Sequence, residues 1–403
     1  MSTSFLYHGW GIRGYYLVRE EFAEGRIVQV IGQEDWRLRC PACGSSRVIR
    51  RGHSERDFRA PPMGGKPVTI RFAIPRVGCQ ECGSVRQVKL GFAEERFSYI
   101  RSMERYILDL CRMMTIADVA DHLGMSWDTV KDIHKRNLAR RFSKPRLKHL
   151  KRIATDEISI GRGQRYLTVV LDLVSGAVVF VGNGRSAGAL DPFWRRLRAS
   201  GAKVRAIAMD MSPATIDAAR RNLPRAKIVF DRFHVVKLFN DKLSDLRRQV
   251  QSSAEGLAKK VLKCTRWLLL KNPENLNEKR NERQRLDDAL MLNHPLFTAY
   301  YMREDLRQFW EQDSKAAARR FLDDWIRRAE ASQITMWVKF ARTLIVHRDG
   351  LLAWYNYPIS TGPLEGTNNK IKTLQRRAYG YRDREYFTLR IYGLHESKYA
   401  LVG

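Results

Sequence analysis

No apolar run in this 403-residue chain approaches the roughly 20 residues of a membrane-spanning helix. No basic amphipathic anchor opens it, and its first residues lack the apolar stretch of a signal peptide. These absences argue against a membrane or exported protein and point to one that works in the cytoplasm, associated with the nucleoid. Acidic residues are scarce beside basic ones: 43 Asp and Glu against 73 Lys and Arg, a formal net charge of +30. That excess is extreme for an ordinary metabolic enzyme, and it is spread along the chain rather than confined to a tail. It predicts a long, salt-sensitive contact with a phosphate backbone, driven by counterion release. The rest of the composition is ordinary for a globular protein, 44% hydrophobic and 29% charged, and the length allows roughly two to four domains with a sizeable core.

Cysteine is also sparse, with six in all, but four fall into two pairs. Cys40-Pro-Ala-Cys43 is followed by Gly44, and Cys79-Gln-Glu-Cys82 by Gly83, with 35 residues between the pairs. Two C-x-x-C-G knuckles fit tetrahedral thiolate ligation of a structural zinc ion, the glycine permitting the positive backbone angle of each turn. Structural disulfides do not suit a cytoplasmic protein, and a redox dithiol needs no second copy. His53 is an alternative ligand but lies well outside either knuckle. Cys111 and Cys264 sit in apolar helical patterns and are expected in the core.

The architecture expected is multidomain α+β. Residues 1–35 alternate apolar and polar and suggest a small N-terminal β unit. Residues 36–92 form the zinc-ribbon-like module, with two Arg-rich strand-like runs between the knuckles. Residues 98–150 hold a helix-turn-helix and a basic linker. Thr115 can cap a short helix with apolar Ile116, Val119, Ala120 and Leu123, Gly124 ends it, and Ser126 caps the next. The second helix buries Val130 and Ile133 and presents Trp127, Asp128, Thr129, Lys131, Lys135 and Arg136, the residue types of a helix that enters the DNA major groove. The basic run 141–152 is expected to touch phosphates.

From Arg152 the pattern changes. Strands are expected at Ile153–Ile160, Arg165–Leu173, Ala177–Val181, Val204–Met209 and Lys227–Phe230, with helices at 187–199 and from Ser212-Pro213 to Asn222. Three strands in a row followed by alternating helix and strand is the order of an RNase H-like fold, not of a simple doubly wound sheet. In that fold the first and fourth strands are neighbours, which places Asp156 beside Asp210. Residues 151–235 are thus the first part of a catalytic core. Residues 236–355, helical and heavily charged with tryptophans at 267, 310, 325 and 337, read as an α-helical insertion. Residues 356–403 bring the core's last helix, which carries Glu365.

Two aspartates and a glutamate in a basic protein suit phosphodiester chemistry. Two Mg²⁺ ions about 4 Å apart, for which Mn²⁺ can substitute, activate an oxygen nucleophile and stabilise the leaving oxygen, and Mg²⁺ favours carboxylate oxygens. Among rival acids, strand alternation turns Glu157 to the face opposite Asp156, and Asp172 is expected to pair with a basic neighbour. After Glu365 come Asn368, Asn369, Lys370 and Lys372, residue types that fit DNA-backbone contacts, and Arg376, Arg377 and Tyr379 extend that surface. Glu365 and Asn369 share a helical face.

The order of two C-x-x-C knuckles, a helix-turn-helix, then T-D-E, M-D-M-S, D-R-F-H-V-V-K and G-x-x-E-G-x-N-N-x-I-K resembles the transposases of the ISL-three family of bacterial insertion sequences, members of the D,D,E superfamily. The resemblance covers nearly the whole chain from about residue 36. It implies that Asp156, Asp210 and Glu365 are the catalytic, Mg²⁺-holding acids. It assigns Asp231 and His234 to a D-x-x-H signature that organises the site or handles a DNA end. The partners implied are double-stranded DNA, as terminal inverted repeats and target, and a second copy of the chain, since two ends must be paired. A transposase-derived repressor without catalysis and an RNase H-like structure-specific nuclease are the other readings; the intact acids oppose the first and the two N-terminal recognition modules the second.

Overall fold

The computed structural model describes residues 4–23, 25–255, 261–262, 265–291 and 293–395. The chain divides into two compact units, residues 1–140 and 141–403. Cys264 lies outside the described residues; Cys111 is buried.

The first unit is built on a long hairpin. Strands β3 (Val48–Met63) and β4 (Lys66–Cys79) pair antiparallel across Gly64-Gly65, both at positive φ (+55° and +77°), where only glycine is unstrained. On the other edge of β4 lies β2 (Arg26–Gly32), parallel to it from Ile27 opposite Val68 to Ile31 opposite Phe72. The outer strand β1 (Tyr16–Ala23) pairs with β2, and the short β5 (Val85–Gln87) pairs with the end of β4. A short helix, α1 (Phe5–Trp10), precedes the sheet. The expectation of a separate β unit at residues 1–35 is therefore corrected. Two strands alone cannot bury Ile27, Val28 and Ile31, and they do so by joining the sheet of the zinc-ribbon hairpin.

Three helices complete this unit: α2 (Arg101–Leu110), α3 (Ile116–Leu123) and α4 (Trp127–Phe142). Thr115 and Asp118 form a reciprocal capping box at the start of α3, and Gly124 ends it at φ +55°. Ser126 Oγ accepts the Thr129 backbone N–H (3.2 Å) and so caps α4. Phe58 and Ile70 of the sheet, Ile100 and Ile107 beside and within α2, and Val119 and Ile133 of the helix-turn-helix lie in one continuous apolar core. Arg59 joins the two layers by donating to the Leu123 carbonyl (2.6 Å).

In the second unit, β6 (Arg152–Gly161), β7 (Arg165–Asp172) and β8 (Val178–Asn183) form an antiparallel meander; β9 (Ala206–Met209) and β10 (Lys227–Phe230) then add in parallel on the far side of β6. The order β10-β9-β6-β7-β8, with α5 (Asp191–Ser200) and α6 (Pro213–Asn222) in the connections, is RNase H-like. β9 is buried along its whole length, as a central parallel strand must be. Among the described residues, no basic side chain pairs with Asp172. Its carboxylate accepts the Val174 and Ser175 N–H groups and the Ser175 hydroxyl, closing the β7–β8 turn. In the basic stretch 141–152, Leu147 and Leu150 are buried and Arg196 donates to the Pro145 carbonyl (3.0 Å), while Lys144, Arg146 and Lys148 remain exposed.

The helical insertion leaves β10 directly. α7 (Arg232–Ser253), α8 (Arg266–Leu270), α9 (Glu282–Met291), α10 (His294–Arg307), α11 (Lys315–Ala331), α12 (Thr335–Val346) and α13 (Arg348–Leu352) surround their own aromatic core. Phe239 stacks on Trp337 with centroids 4.4 Å apart, and Trp325 and Phe340 meet it edge-on. Trp310 is also buried, whereas Trp267 is exposed. The chain returns to the sheet at Gly350, where an added Cβ would stand 2.3 Å from the Phe230 ring. The last helices, α14 (Gly362–Arg377) and α15 (Arg384–Tyr392), pack on β6 and β8. Because the Phe230 ring is buried and cannot yield cheaply, Gly350→Val is expected to cost about 1–3 kcal/mol, read as a lower Tm in a thermal melt; an unchanged Tm would contradict this close approach.

Candidate active site

The sheet register fixes the first two acids. β6 and β9 pair in parallel with Ala154 opposite Ala208, so Asp156 and Asp210, each two residues further on, reach the same level. Asp210 follows the last residue of β9, and its Oδ1 accepts the Ser212 N–H (3.1 Å). Asp156 stands within β6 and is half-buried. Its Oδ2 accepts a hydrogen bond from Asn368 Nδ2 of α14 (2.9 Å). Burial raises the Asp156 carboxyl above its usual range, and the charges of Asp210 and Asp231 add to this, against the opposing pull of His234.

Asp231 is 3% exposed and holds three partners. It caps α7 by accepting the Phe233 N–H (3.1 Å), and it accepts the Thr361 N–H immediately before α14 (3.1 Å). His234 Nδ1 stands 3.4 Å from its Oδ2, within charge-pairing reach. Burial alone would raise the Asp231 carboxyl, but His234 and Thr361 overcome it and hold it low. The same carboxylate, aided by Asp156 and Asp210, holds the His234 imidazole above its ordinary value despite burial.

Glu365 is exposed in the first turn of α14. The buried stripe of this helix is Leu364, Thr367, Asn368 and Ile371. At about 100° per residue, Glu365 flanks Asn368, one turn back and roughly 60° round. The spacing of Glu365, Asn369, Lys372 and Arg376 puts them on one face, with Lys370 and Arg377 on another. Asn368 differs from expectation: its phase puts it in the stripe, where it orients Asp156 rather than meeting DNA. Its Oδ1 is buried and finds no hydrogen-bond partner among the described residues. An orphaned oxygen beside converging carboxylates is the donor set a hard divalent cation accepts, so these residues fit the Mg²⁺ reading. Sequence reasoning also missed Thr361; its role is a backbone N–H, which no side-chain pattern reports.

In the first unit, the sulfurs of Cys40, Cys43, Cys79 and Cys82 all lie within 4.8 Å of one another. Cross pairs are 3.6 Å (Cys40–Cys82) and 3.5 Å (Cys43–Cys79) apart, near the roughly 3.8 Å edge of a tetrahedral zinc–thiolate site and far from a disulfide bond. The two knuckles repeat one geometry: Gly44 and Gly83 donate to the Cys40 and Cys79 carbonyls, at φ +81° and +68°. Among the described residues, no other three or more His, Cys, Asp or Glu ligand atoms gather this closely; His53 is not part of the group. On α4, Trp127 is half exposed with Lys131 over its ring, and Thr129 and Lys135 are partly exposed. Arg136 stacks on Phe97 (4.0 Å) and donates to the Tyr99 hydroxyl while staying partly exposed.

An RNase H-like sheet with paired aspartates, a zinc ribbon and a helix-turn-helix define a DNA-processing protein of the transposase class. Comparison with known proteins agrees. Residues 153–391 match a family described as transposase, residues 36–82 the zinc-finger of transposase IS204/IS1001/IS1096/IS1165, and residues 88–136 the helix-turn-helix domain of transposase family ISL3. The transposase for insertion sequence element IS1001 of Bordetella parapertussis is 32% identical over 390 residues, covering 95% of each chain. The transposase for IS1557 of Mycobacterium tuberculosis is 28% identical over 370 residues, covering 85% of this chain and 82% of that one. The chain belongs to the ISL3 family of transposases. A solved Drosophila P element transposase strand transfer complex is similar over 72% of this chain and 90% of that one, at a TM-score of 0.39 and 11% identity.

Elemental analysis of the purified protein should find one zinc per chain, and Cys79→Ser should lower both zinc content and Tm; a zinc-free wild type of equal stability would contradict the site. The Asp231–His234 pair makes a pH prediction. A lowered carboxyl stabilises above its unfolded pKa, and a raised imidazole stabilises below its own, near 6.5. The Tm difference between wild type and His234→Gln should therefore be largest near pH 5–6 and shrink as pH rises through the His234 pKa. A difference that grows toward pH 9 would contradict the pairing.

Proposed function

We propose that this transposase binds the terminal inverted repeats of its insertion sequence through the helix-turn-helix and zinc ribbon, and cuts and joins DNA at the carboxylate site. The observation that carries the reading is the pairing of Asp156 and Asp210 on adjacent parallel strands, with the Asn368 amide oriented onto one of them. Asp156, Asp210 and Glu365 would hold two Mg²⁺ ions, which when bound activate the attacking oxygen and stabilise the leaving one. Asn368 orients Asp156. Asp231 holds the start of α14, and so the place of Glu365, against the core. His234, carrying positive charge, offsets the crowded carboxylates. Asn369, Lys372 and Arg376, on the Glu365 face, would contact the DNA backbone.

In the first reaction, water attacks the phosphodiester at the element boundary, and the P–O3′ bond breaks to leave a 3′-hydroxyl. In the second, that hydroxyl attacks a target phosphodiester, forming a new P–O bond and releasing a target 3′-hydroxyl. No protein nucleophile is required. Two ends must be joined together, so the working form is a dimer or larger assembly on DNA, acting in the cytoplasm at the nucleoid.

In a strand-transfer assay with terminal-repeat DNA and Mg²⁺, Asp156→Asn, Asp210→Asn and Glu365→Gln should each reduce joining about a thousandfold, equivalent to roughly 4 kcal/mol of barrier, while gel-shift affinity for the ends is retained. An Asp210→Asn protein that still joins ends to target would overturn the assignment. Wild type that binds ends but joins nothing would favour a repressor.

A further inference from the structure

The second unit holds a cavity lined by none of the acids of the carboxylate site. It lies where the β6–β7 hairpin and the end of β8 meet the start of α15, among Arg165, Tyr166, Leu167, Asn183, Arg384 and Phe387. Its volume is about 190 Å³. One water needs only ~10–15 Å³, so a ring system fits.

The walls and the rim differ in chemistry. Phe387 is buried and stacks on Tyr381 with centroids 4.6 Å apart, which fixes one wall. Arg185 lies over the Tyr166 ring, 4.9 Å from its centroid. An aromatic ring backed by a guanidinium is a platform on which any nucleobase stacks. The rim is cationic. Arg165 and Arg384 are exposed, and neither side chain has an ion-pair or hydrogen-bond partner among the described residues. Two such guanidiniums suit a phosphate, whose oxygens arginine takes two at a time. Asn183, opposite Leu167 in the β7–β8 register, adds an amide that both donates and accepts, as the polar edge of a base requires. An apolar ligand leaves the arginines unused, and a bare anion leaves the rings unused. A nucleotide uses both.

The strand register gives the distance to the acids. Asp156 is opposite Val169 and Ser159 is opposite Tyr166, so Tyr166 stands three residues along the ladder from Asp156. At roughly 3.3 Å per residue that is about 10 Å, or about three nucleotide steps of 3.4 Å.

We propose that this cavity holds one unpaired nucleotide of the bound DNA, its base on Tyr166 and its phosphate between Arg165 and Arg384, about three nucleotides from the reacting phosphodiester. The identity of the strand rests on the proposed function above; the nucleotide chemistry of the cavity does not. A base held there keeps the duplex open beside the carboxylate site.

Gel-shift titration of the zinc-loaded full chain with terminal-repeat duplexes tests this. Wild type should bind a duplex mismatched roughly two to four nucleotides from the cleaved phosphate about tenfold more tightly than the fully paired duplex, because the cost of unpairing is already met. Arg384→Ala and Tyr166→Ala should lose that gain. Arg384 is exposed and holds no other residue, so its variant reports even if Tyr166→Ala does not fold. No gain in wild type, or a gain unchanged in Arg384→Ala, would overturn the proposal. So would a wild type without the gain that takes up a labelled deoxynucleoside monophosphate in equilibrium dialysis while Arg384→Ala takes none; the occupant is then a free nucleotide. Strand transfer by Asp210→Asn keeps the two claims apart. If that protein is inactive and the mismatch gain is absent, the proposed function stands and the nucleotide pocket falls. If the gain is present and Asp210→Asn still joins ends, the pocket stands and the catalytic assignment falls.

Discussion

The parallel pairing of β9 with β6 is the constraint on which the site depends. With Ala154 opposite Ala208, Asp156 and Asp210 have no freedom to separate: the backbone ladder brings two like charges to one level at the edge of a buried sheet. Burial of Asp156, and then the charge of Asp210 beside it, work against ionisation of the Asp156 carboxyl. A cluster of this kind costs stability unless cations or positive side chains offset it. Here His234 contributes part of that offset, and a chain of net charge +30 supplies a favourable field around it. The same positive charge attracts the polyanionic substrate, so the site is repulsive within and attractive without.

A second constraint is topological. The helical insertion occupies residues 232–352, yet α14 must return to β6 in register with Asp156. Asp231 joins the two ends of that excursion, with the Phe233 N–H at its exit and the Thr361 N–H at its return. The approach of Gly350 to Phe230 closes the same seam. One buried carboxylate thereby couples the folding of the insertion to the position of the helix that bears Glu365 and Asn368.

Much of this was legible in the sequence because it is written in local patterns. Strand Lys227–Phe230 falls at the expected residues, and Thr115, Gly124 and Ser126 bound the helix-turn-helix as their capping chemistry requires. The order of strands was enough to place Asp156 beside Asp210. What was not legible depends on non-local pairing. That β2 would join β4, rather than stand in a unit of its own, follows from a parallel contact across more than thirty residues. Asn368 looked like a DNA contact because asparagines and lysines cluster there beside Glu365; only the docking of α14 reveals which phase of the helix is buried. Alternation along β6 set Glu157 apart from Asp156, yet both line one pocket with Asp210, because Asp210 stands past the end of its strand.

The central claim is that carboxylates from β6, β9 and α14 meet at one cation-holding centre. Anomalous scattering from Mn²⁺ in crystals of the full chain with a terminal-repeat duplex tests it most directly. The account predicts Mn²⁺ at about 2.1–2.2 Å from oxygens of Asp156 and Asp210, with Glu365 as a further ligand at the same centre. Mn²⁺ bound there with Glu365 turned to solvent, or no Mn²⁺ at Asp156 and Asp210, would contradict it.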